Sequence, residues 1–339
     1  MTALWVGGMG GMEADLVQHA GVAYEAIPAA GVHGVGLRTL PGNISQLARG
    51  VFASRRILKR FKPDVLLFTG GYVAAPMAVA GARIPSLLFV PDIEPGLALK
   101  FISRTSRVIA VTAEESRKYF SSNKVLVTGY PVRDDLKRWT KVEARKILGL
   151  HATKPTLLVF GGSKGARSIN RAVAANLNAL MELGIQLVHI SGELDFAEAS
   201  TAGKNLSADH QSHYHLYPYL HEEMGAALAS ADLVVSRAGA SALGEYPAFG
   251  LPAVLVPYPY AWRYQKVNAD YLASQGAALI LPDEKLTSDL LTTVHTLLAN
   301  PSRLAQMGAA MSHLAKPNAA AEIGQLLRNL ATGRGASHG

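Results

Sequence analysis

Short apolar runs alternate with amphipathic stretches along almost the whole chain. This alternation is typical of repeated strand–helix units that build parallel sheets. A first series of buried strands is predicted at residues 3–6, 65–68, 86–90, 108–111 and 124–127. A second series is predicted at residues 156–160, 186–190, 233–235, 253–256 and 278–281. The pattern therefore predicts an α/β protein made of two doubly wound, Rossmann-like halves.

The length of the chain supports two domains, because 339 residues exceed what one ordinary hydrophobic core organises. Residues 134–154 are polar and helix-forming. We interpret them as a linker between an N-terminal domain, residues 1–133, and a C-terminal domain, residues 155–316. Residues 317–330 are predicted to form a final helix that packs back toward the N-terminal domain, and residues 331–339 a frayed tail.

Composition and charge narrow the class of function. The chain contains no cysteine, which excludes disulfide frameworks and cysteine-ligated zinc. A net charge of +8 predicts a polyanionic partner. Nucleic acid is disfavoured, because the chain lacks interleaved aromatic residues and the patterns of helix-turn-helix and zinc-finger motifs. The uncharged residues 65–82 contain Gly70, Gly71 and Pro76, which favours a strand, a turn and a short helix over a membrane span.

The positive charge is concentrated in residues 45–63, a segment without acidic residues. Its apolar residues recur at near-helical spacing, and its basic residues are Arg49, Arg55, Arg56, Lys59, Arg60 and Lys62. A basic amphipathic helix of this kind commonly lies on anionic lipid. The alternative is a solvated helix that packs its apolar stripe inward. The residues alone leave both interpretations open.

The sharpest local motif is a glycine turn that follows the strand at residues 156–160 and opens a helix. It contains Gly161, Gly162, Ser163 and Gly165. Glycines let a backbone approach a phosphate closely, and the N–H groups of a helix start attract its negative charge. The same residues fit the nucleophile elbow of α/β-hydrolases, with Asp283 and then His295 or His313 as formal partners of Ser163. A hydrolase, however, leaves two later segments without a function.

The first of these segments, residues 236–245, is again a strand end that leads into a helix. Its small residues, with Gly239 at the turn, leave Arg237 available to a diphosphate. Glu245, about one and a half turns into the expected helix, can accept two hydrogen bonds from the vicinal hydroxyls of a ribose. The segment therefore favours nucleotide binding.

The second segment, residues 257–269, places Gln265 and Asn268 near a strand end. Side-chain amides at such a position can read sugar hydroxyls, because each amide both donates and accepts hydrogen bonds. Together with the two glycine-rich turns, this pattern favours a nucleotide-linked sugar as ligand.

Two other patterns could suggest a metal site. The segment around His213 is rich in histidine, at positions His210, His213, His215 and His221, but it contains no cysteine and has the composition of a polar loop. Asp92 and Glu94 form an acid-x-acid motif. Paired glycine turns that neutralise a phosphate make a metal unnecessary there, so we predict neither a metal nor another cofactor.

Taken together, these motifs resemble the bacterial MurG-type glycosyltransferases, which transfer N-acetylglucosamine from UDP-N-acetylglucosamine to lipid I and so make lipid II for peptidoglycan. The resemblance runs from Gly11 to the final helix. It includes residues 62–65, Gly70-Gly71-Tyr72-Val73 with Pro76, Gly129-Tyr130-Pro131-Val132-Arg133, the Gly161 turn, residues 236–245, and Gln265 with Asn268. It implies the glycosyltransferase-B architecture, in which two Rossmann-like domains enclose a cleft for the donor.

The resemblance also implies binding residues and a location. The donor-binding residues would be Arg133, Gly161, Gly162, Ser163, Gly165, Leu220, Arg237, Gly239, Glu245, Gln265 and Asn268. Among them, Arg133 and Ser163 would contact the diphosphate. The backbone at Leu220 would meet the uracil, Glu245 the ribose and Gln265 the sugar. The acceptor side would include Gly70, Gly71, Tyr72 and Asp92.

The family transfers sugar with inversion at the inner face of the cell membrane. The resemblance therefore implies a cytoplasmic protein that is peripheral on an anionic membrane surface. It favours lipid contact for the basic helix, through Arg55, Arg56, Lys59 and Arg60. The acceptor would be a polyprenyl-diphosphate-linked muramyl peptide.

Two departures from the family pattern concern the acceptor and the chemistry. The family begins with a strand and a Gly-Gly-Thr-Gly-Gly-His loop, whereas Met12 follows the glycines of residues 7–11 here. We therefore expect that the first βα unit is missing and that turnover is reduced, and we assign no catalytic base. Where the family has His-Glu-Gln-Asn, this chain has residues 89–92, Phe-Val-Pro-Asp. Another lipid acceptor, or a donor-binding pseudoenzyme or subunit without catalysis, remains an alternative.

Overall fold

The structure is a computed structural model that describes residues 2–11, 13–29, 40–120, 123–162, 165–260 and 263–333. The chain divides into two compact units. Unit 1 comprises Met1–Pro91, Pro95–Thr128 and Ala321–Gly339, and unit 2 comprises Asp92–Glu94 and Gly129–Ala320. Both units consist of parallel strands and helices, which confirms the α/β class.

In unit 1 the chain alternates between strands and helices. The elements are β1 (Leu4–Gly8), α1 (Glu13–His19), β2 (Ala23–Ile27), α2 (Leu40–Phe61), β3 (Leu66–Phe68), α3 (Ala74–Ala80), β4 (Ser86–Val90), α4 (Leu97–Ile102), β5 (Val108–Val111) and β6 (Val125–Val127). Among the described residues these strands form two parallel sheets, β1-β2 and β3-β4-β5-β6. Every residue of β4 and β5 is buried, which explains why their sequences are continuous apolar runs.

The described residues of unit 2 form one parallel sheet in the order β12-β11-β10-β7-β8-β9. Its elements are α5 (Lys141–Ile147), β7 (Thr156–Phe160), α6 (Arg167–Glu182), β8 (Gln186–Ile190), α7 (Phe196–Lys204), α8 (Ala208–Gln211), β9 (Tyr214–Tyr217), α9 (Met224–Ser230), β10 (Leu233–Ser236), α10 (Glu245–Phe249), β11 (Ala253–Leu255), α11 (Tyr264–Ser274), β12 (Ala278–Ile280), α12 (Leu286–Leu298) and α13 (Pro301–His313). The last helix, α14 (Ala319–Ala331), falls in unit 1 from Ala321 onward. The chain begins this sheet at its centre and then extends it on both sides, so the strand order reverses at β7.

The segment at residues 134–154, which the sequence suggested as a linker, is a packed part of unit 2. Thr140 caps α5 in a reciprocal capping box with Glu143. From the same helix the buried Arg145 donates hydrogen bonds to the Thr156 hydroxyl at 3.2 Å and to the Asp232 carboxylate at 2.9 Å. These bonds tie α5 to the amino-terminal ends of β7 and β10. The polar composition of the segment therefore reflects a buried ion pair as well as exposure.

Two strands were not predicted, β2 and β9. Each lies at the edge of its sheet and is only partly buried, with burial of a single residue in β2 and intermediate exposure of every residue in β9. β9 lies within the histidine-rich segment that we had interpreted as a polar loop. The expectation of a loop was wrong, because an edge strand keeps polar side chains and lacks a continuous apolar run.

Candidate functional site: the carboxyl ends of the unit 2 strands

Three segments singled out by the sequence follow neighbouring strands of the unit 2 sheet. The glycine turn follows β7, residues 237–245 follow β10, and residues 256–268 follow β11. Because these strands are parallel and adjacent, their carboxyl ends meet at the same edge of the sheet. They do so beside β7, where the strand order reverses, and this is where open α/β sheets bind ligands. The sheet therefore assembles the segments into one candidate site.

Two glycines of the turn, Gly161 and Gly165, leave no room for a side chain. A Cβ atom on Gly161 would lie 2.3 Å from the backbone nitrogen of Ala166, and one on Gly165 would lie 2.6 Å from the Ser191 carbonyl oxygen. Gly162 and Gly165 adopt φ values of +93° and +72°, which only glycine adopts without strain. Ser163 and Lys164 lie outside the described residues, so the contact of Ser163 with a diphosphate stays a prediction.

A buried polar network, which sequence reasoning missed, supports this turn. The Asn170 amide on α6 donates hydrogen bonds to the Ser191 carbonyl oxygen and to the Asp195 carboxylate, both at 2.8 Å. The Asn170 amide oxygen lies 2.9 Å from Nε2 of His189. Burial lowers the pKa of His189 to about 4, against the opposing charge of Asp195, so the ring is neutral near pH 7. The network fixes Ser191, against which Gly165 packs.

Glu245 is the first residue of α10, directly after a 3-10 helix at Ala240–Leu243, and does not lie inside a longer helix as expected. Burial raises the pKa of its carboxyl group, while a hydrogen bond from Ser241 and the charge of Arg133 act in the opposite direction. Arg133 is itself exposed, with 66% of its side chain accessible, and lies 3.7 Å from Asp135. Its guanidinium group is therefore accessible to a ligand and acts electrostatically on Glu245.

Tyr130 joins this cluster, although the sequence offered it only as part of a family motif. A Cβ on Gly244 would lie 2.6 Å from Cδ1 of Tyr130, so the ring packs against the residue before Glu245. Burial, together with the negative charges of Glu245 and Asp92, raises the pKa of Tyr130 to about 12. The phenol therefore stays protonated near pH 7 and remains a hydrogen-bond donor.

Asp92, which the sequence analysis predicts for the acceptor side, belongs to the same unit. The Asn268 amide donates a hydrogen bond of 2.8 Å to the Asp92 carboxylate, and the Asn268 amide oxygen accepts one of 3.0 Å from the backbone N–H of Ile93. Burial raises the pKa of Asp92, and the hydrogen bond from Asn268 only partly opposes this. Asp92 is thus a positioned carboxylate beside Tyr130.

The predicted contact of Asn268 with a sugar stays a prediction. Asn268 is fully buried, and its amide donates a further hydrogen bond of 3.2 Å to the Ala238 carbonyl oxygen. These bonds use the side chain to position Asp92 and the turn after β10. Gln265 differs, because its Oε1 accepts the Tyr258 N–H at 2.8 Å while its amide NH₂ has no partner within the described part of the chain. That NH₂ group remains available to a ligand.

Arg237 is also engaged within unit 2, and its predicted contact with a diphosphate stays a prediction. Its side chain is 9% accessible and donates to the Val256 carbonyl oxygen at 3.0 Å, to Asp283 at 2.5 Å and to the Ser168 hydroxyl at 2.7 Å. Arg237 therefore ties the ends of β10 and β11 to α6. Because Asp283 is paired with Arg237 and Ser168, it does not act as the acid of a hydrolase triad, and the hydrolase interpretation loses its acid.

Two further residues predicted to bind the donor are Gly239 and Leu220. Gly239 precedes the 3-10 helix, and no atom lies within 4 Å of the position that its Cβ would occupy, so this turn is open to a ligand. Leu220 follows β9 and is 9% accessible. Of the groups considered for a metal, Glu94 is held by two hydrogen bonds from Arg263, at 2.7 and 2.8 Å, and His213 lies 2.6 Å from Lys154. Within the described ranges, no three metal-binding side chains come together.

The residues expected on the acceptor side, other than Asp92, lie in unit 1. Gly70 and Gly71 follow β3 with φ values of +129° and +79°, and Tyr72 is 53% accessible. All three line a cavity of about 650 Å³ within unit 1. They are therefore not part of the unit 2 cluster.

The basic segment forms helix α2, and its contact with lipid stays a prediction. Ser54 and Ile57 are buried, so one face packs inward. The opposite face exposes Arg55, Arg56 and Lys59, together with Phe52, which is 63% accessible. Arg60 differs because it forms an ion pair with Glu25. Among the helices that the structure describes, none is long and apolar enough to cross a membrane.

Comparison with known proteins agrees with this geometry. Residues 1–111 match the glycosyltransferase family 28 N-terminal domain, and residues 156–323 match the family 28 C-terminal domain. Among similar relatives is the UDP-N-acetylglucosamine--N-acetylmuramyl-(pentapeptide) pyrophosphoryl-undecaprenol N-acetylglucosamine transferase of Roseiflexus sp. (strain RS-1), 39% identical over 97% of this chain and 84% of the relative. The protein of the same name from Desulforudis audaxviator is 37% identical over 97% of this chain and 90% of the relative.

Solved structures give the same result. MurG of Acinetobacter baumannii superposes with a TM-score of 0.74 at 26% identity, covering 97% of this chain and 91% of that one. UDP-GlcNAc 2-epimerase from Neisseria meningitidis, bound to UDP-GlcNAc, has a TM-score of 0.65 at 16% identity and covers 97% of this chain and 100% of that one, a likeness of fold alone. The resemblance inferred from the motifs and the fold class are confirmed. This chain belongs to glycosyltransferase family 28 and, within it, to the MurG-type transferases.

Proposed function

We propose that this protein transfers N-acetylglucosamine from UDP-N-acetylglucosamine to a polyprenyl-diphosphate-linked muramyl peptide, with inversion at the anomeric carbon. The names of the curated relatives support the two substrates. The observation that carries the proposal is the cluster of Glu245, Tyr130 and Asp92 in unit 2, the unit that also holds the Gly161 turn. Together, the cluster and the turn supply groups for a nucleotide, a sugar and a proton transfer.

Donor binding follows from the chemistry of each group. Gly161, Gly162 and Gly165 offer bare backbone to the diphosphate, and the start of α6 adds N–H groups that favour its negative charge. Glu245 accepts hydrogen bonds from the ribose hydroxyls, which requires its charged form. The free NH₂ group of Gln265 donates to a sugar hydroxyl. Arg133, exposed beside Glu245, offers the diphosphate a positive charge.

The proton acceptor that we propose is Asp92. Its carboxylate is held by Asn268, and its raised pKa brings it closer to the pH at which a general base works best. It would take the proton of the acceptor hydroxyl as the oxygen attacks the anomeric carbon and UDP leaves. No metal is needed in this scheme, because Arg263 already neutralises Glu94 and backbone N–H groups serve the diphosphate.

We further propose that α2 rests on the cytoplasmic face of an anionic membrane. Arg55, Arg56 and Lys59 project from one face of the helix, and Phe52 lies among them at helical spacing. Cations attract anionic headgroups, and an exposed aromatic side chain can enter the interface between them. This arrangement would hold unit 1 where a lipid-linked acceptor is found.

The test is turnover by the purified chain with UDP-N-acetylglucosamine and a lipid I analogue. Formation of the disaccharide lipid supports the proposal. Transfer only to other polyprenyl lipids would identify a different acceptor. Donor binding without transfer to any lipid would contradict the assignment as an enzyme and favour a donor-binding subunit. Asn170→Ala and Asn268→Ala, which disturb supporting residues only, should lower turnover less than Asp92→Asn.

A further inference from the structure

The segment after β11 presents two tyrosine side chains to solvent. Tyr258 is 44% accessible and Tyr260 is 84% accessible, although large aromatic side chains are usually well buried. Their ring centroids are 5.6 Å apart and their planes are inclined by 70°, which is an edge-to-face pair. Pro257 and Pro259 flank Tyr258, and the fixed φ of proline limits the conformations of this segment. The tyrosine pair, Tyr258 and Tyr260, therefore offers a ligand an accessible aromatic surface that is already arranged.

Tyr258 is fixed at two points by residues of unit 2. Its backbone N–H donates a hydrogen bond of 2.8 Å to Oε1 of Gln265. Its ring lies against Arg237, whose guanidinium carbon is 5.1 Å from the ring centroid. Arg237 is itself held, because it donates hydrogen bonds to the Val256 carbonyl oxygen and to the Ser168 hydroxyl. The position of the Tyr258 ring is therefore set by buried contacts, although much of the ring stays accessible.

These two contacts place Tyr258 between the parts of the site that serve the sugar and the diphosphate. Gln265, which binds the backbone of Tyr258, carries the NH₂ group that we propose for a sugar hydroxyl. On the other side, Arg237 links the Tyr258 ring to Ser168, the second residue of α6, at 2.7 Å from the serine hydroxyl. A donor that extends from Gln265 to the start of α6 therefore runs past the side chain of Tyr258.

The strand order separates Tyr258 from the predicted uracil position. Leu220, where the uracil is expected, follows β9 at one edge of the sheet, and Tyr258 follows β11, four strands away. Neighbouring strands are about 4.8 Å apart, so the two positions are about 19 Å apart along the strand ends. The part of a UDP-sugar that reaches Tyr258 is therefore the sugar and not the base.

An aromatic surface suits a sugar ring. The face of an aromatic ring carries partial negative charge, which attracts the polarised C–H groups on the face of a pyranose. Tyrosine also supplies a large contact area at a low cost in conformational entropy. Hydrogen bonds from Gln265 read the hydroxyl groups at the rim of the sugar. Contact with Tyr258 would cover the apolar face that those hydrogen bonds leave exposed.

We propose that Tyr258 and Tyr260 form a platform on which the N-acetylglucosamine ring of the donor stacks. Tyr258 provides the main contact, and Tyr260 extends the platform toward solvent. The platform rests on the proposed function, in which this sugar is bound beside Gln265. Its consequence is specificity, because the platform strengthens the binding of the sugar nucleotide without strengthening that of UDP.

The first test is calorimetry of the full chain with UDP and with UDP-N-acetylglucosamine. Tyr258→Ala should weaken binding of the sugar nucleotide roughly 3- to 10-fold and leave the affinity for UDP unchanged. Tyr258→Phe keeps the ring and should bind both ligands as the parent does. Tyr260→Ala should show the same selectivity with a smaller loss. Phe101→Ala is the matched control, because Phe101 is 46% accessible on α4 of unit 1, and both affinities should stay parental.

The second test shows which part of the donor touches the pair. In saturation-transfer NMR with the aromatic protons of the protein irradiated, the carbon-bound protons of the sugar ring should receive saturation in the parent. Tyr258→Ala should lose most of this signal, while the signal of the uracil protons stays. In steady-state kinetics Tyr258→Ala should raise the KM of the donor with little change in kcat, as expected for a contact made equally in the ground state and the transition state.

Four results would overturn the platform. Unchanged affinity for the sugar nucleotide in Tyr258→Ala would show that the ring makes no contact. Equal losses for UDP and the sugar nucleotide would show that Tyr258 only supports Arg237 and the start of α6. A loss in Tyr258→Phe as large as in Tyr258→Ala would assign the effect to the hydroxyl. Loss of vesicle binding in Tyr260→Ala, with donor affinity unchanged, would assign the pair to a lipid surface.

The platform and the proposed transfer can fail separately, because calorimetry and NMR measure donor binding alone. A parent protein that binds UDP-N-acetylglucosamine through Tyr258 but transfers it to no lipid would support the platform and contradict the transfer. A parent protein that forms the disaccharide lipid, with a donor KM that Tyr258→Ala leaves unchanged, would support the transfer and overturn the platform.

Discussion

Unit 1 and unit 2 share a parallel, doubly wound design but bury different chemistry. The buried polar side chains of unit 1, among the described residues, are all hydroxyls, from Ser54, Ser86, Ser106, Thr112, Ser116 and Thr128. Those of unit 2 also include Glu94, Arg145, Asn170, Gln186, His189, Asp195 and Asn268. Unit 1 keeps its charge outside, on α2, whereas unit 2 takes ionisable groups into its interior.

This difference shows where the fold accepts an energetic cost for function. Burying a charged or amide group is unfavourable unless hydrogen bonds compensate, and breaking such a network leaves an unpaired group behind. In unit 2 two of these networks end at the candidate site: Asn170 bonds to Ser191, against which Gly165 packs, and Asn268 holds Asp92. The comparison therefore predicts that substitutions in unit 2 affect chemistry and donor affinity, and that those on the α2 surface affect only location.

The largest effect is expected at Asp92. Asp92→Asn should lower kcat by roughly 10²- to 10⁴-fold, the usual contribution of a positioned base, with little change in the KM of the donor. The activity of the parent should fall as the pH drops through the raised pKa of Asp92, because the protonated carboxyl group accepts no proton. The variant should lack this acidic limb.

The matched control for this experiment is Asp134→Asn. Asp134 also belongs to unit 2, but its side chain is 98% accessible and pairs only with Lys137 at the surface. The Asp134→Asn protein should retain parental activity at every pH. An Asp92→Asn protein with the parental kcat would show that another group is the base.

A second prediction concerns the surface of unit 1. Replacing Arg55, Arg56 and Lys59 with glutamine should weaken binding to phosphatidylglycerol vesicles roughly 100-fold, because each basic residue near an anionic surface contributes about 1 kcal/mol. Co-sedimentation with vesicles measures this. Turnover on a detergent-dispersed acceptor should stay unchanged.

The charge-matched control is a triple variant of unit 2. In it, three exposed basic residues are replaced by glutamine: Lys146, Arg171 and Lys204. If both triple variants lose vesicle binding equally, net charge alone governs adsorption and α2 has no special function. Loss of vesicle binding in the α2 variant only would confirm that α2 of unit 1 binds the membrane surface.

The third prediction tests the donor site. A charge-assisted hydrogen bond contributes about 1.5–3 kcal/mol, so Glu245→Ala should weaken UDP-sugar binding roughly 10- to 100-fold in calorimetry. Gln265→Ala should weaken the binding of the sugar nucleotide more than that of UDP. Affinity of the parent should decline as the pH falls through the raised pKa of Glu245, since only the carboxylate accepts both ribose hydroxyls.

Glu198, 55% accessible on α7, provides the control, and Glu198→Ala should bind the donor as the parent does. Unchanged affinity in both Glu245→Ala and Gln265→Ala would remove the donor site from these strand ends. The Glu245→Gln protein should be more stable than the parent above the pKa of Glu245. This follows because a raised carboxyl pKa means that folding disfavours the charged form.

The sequence predicted the fold better than the contacts of the site. Apolar runs identified the buried strands, including β4 and β7, because a strand covered on both faces must be apolar throughout. The edge strands β2 and β9 lacked that signal. Gaps in parallel sheets have no local pattern at all, so the separation of β1 from β3 emerged only with the topology.

Within the site, the sequence could not predict which partners the polar side chains have in the folded chain. Arg237 and Asn268 have the side chains that ligands need, but residues far away in the sequence already bind them: Asp283 binds Arg237, and Asp92 binds Asn268. The type of a residue shows which hydrogen bonds its side chain can form, but it does not show which partners the side chain has in the folded protein. Gly161 was interpretable without such knowledge, because its turn depends on neighbours in the sequence. The predicted domain boundaries and the expected absence of the first βα unit stay predictions.

The smallest effect that we predict separates the two units by their acid stability. His189 on β8 is buried and neutral, and its pKa is lowered from 6.5 to about 4. The unfolded chain therefore binds a proton first as the pH falls, so unit 2 should lose stability between about pH 6.5 and 4, by at most about 1.4 kcal/mol per pH unit for this residue. His213 and His215 of the same unit also have lowered pKa values, chiefly through burial, and act in the same direction.

Comparing the parent with His189→Gln isolates the contribution of His189 to this loss of stability, because glutamine keeps a hydrogen-bonding group near Asn170 without titrating. The measurement is amide exchange in β7 and β8 against β4 and β5 at pH 7, 6 and 5, corrected for intrinsic rates. Protection in β7 and β8 should fall more steeply with acid than protection in β4 and β5, and the His189→Gln protein should reduce that difference. Equal slopes in the parent and the variant would mean that His189 is protonated in the folded state, which contradicts its burial beside Asn170 and Tyr214.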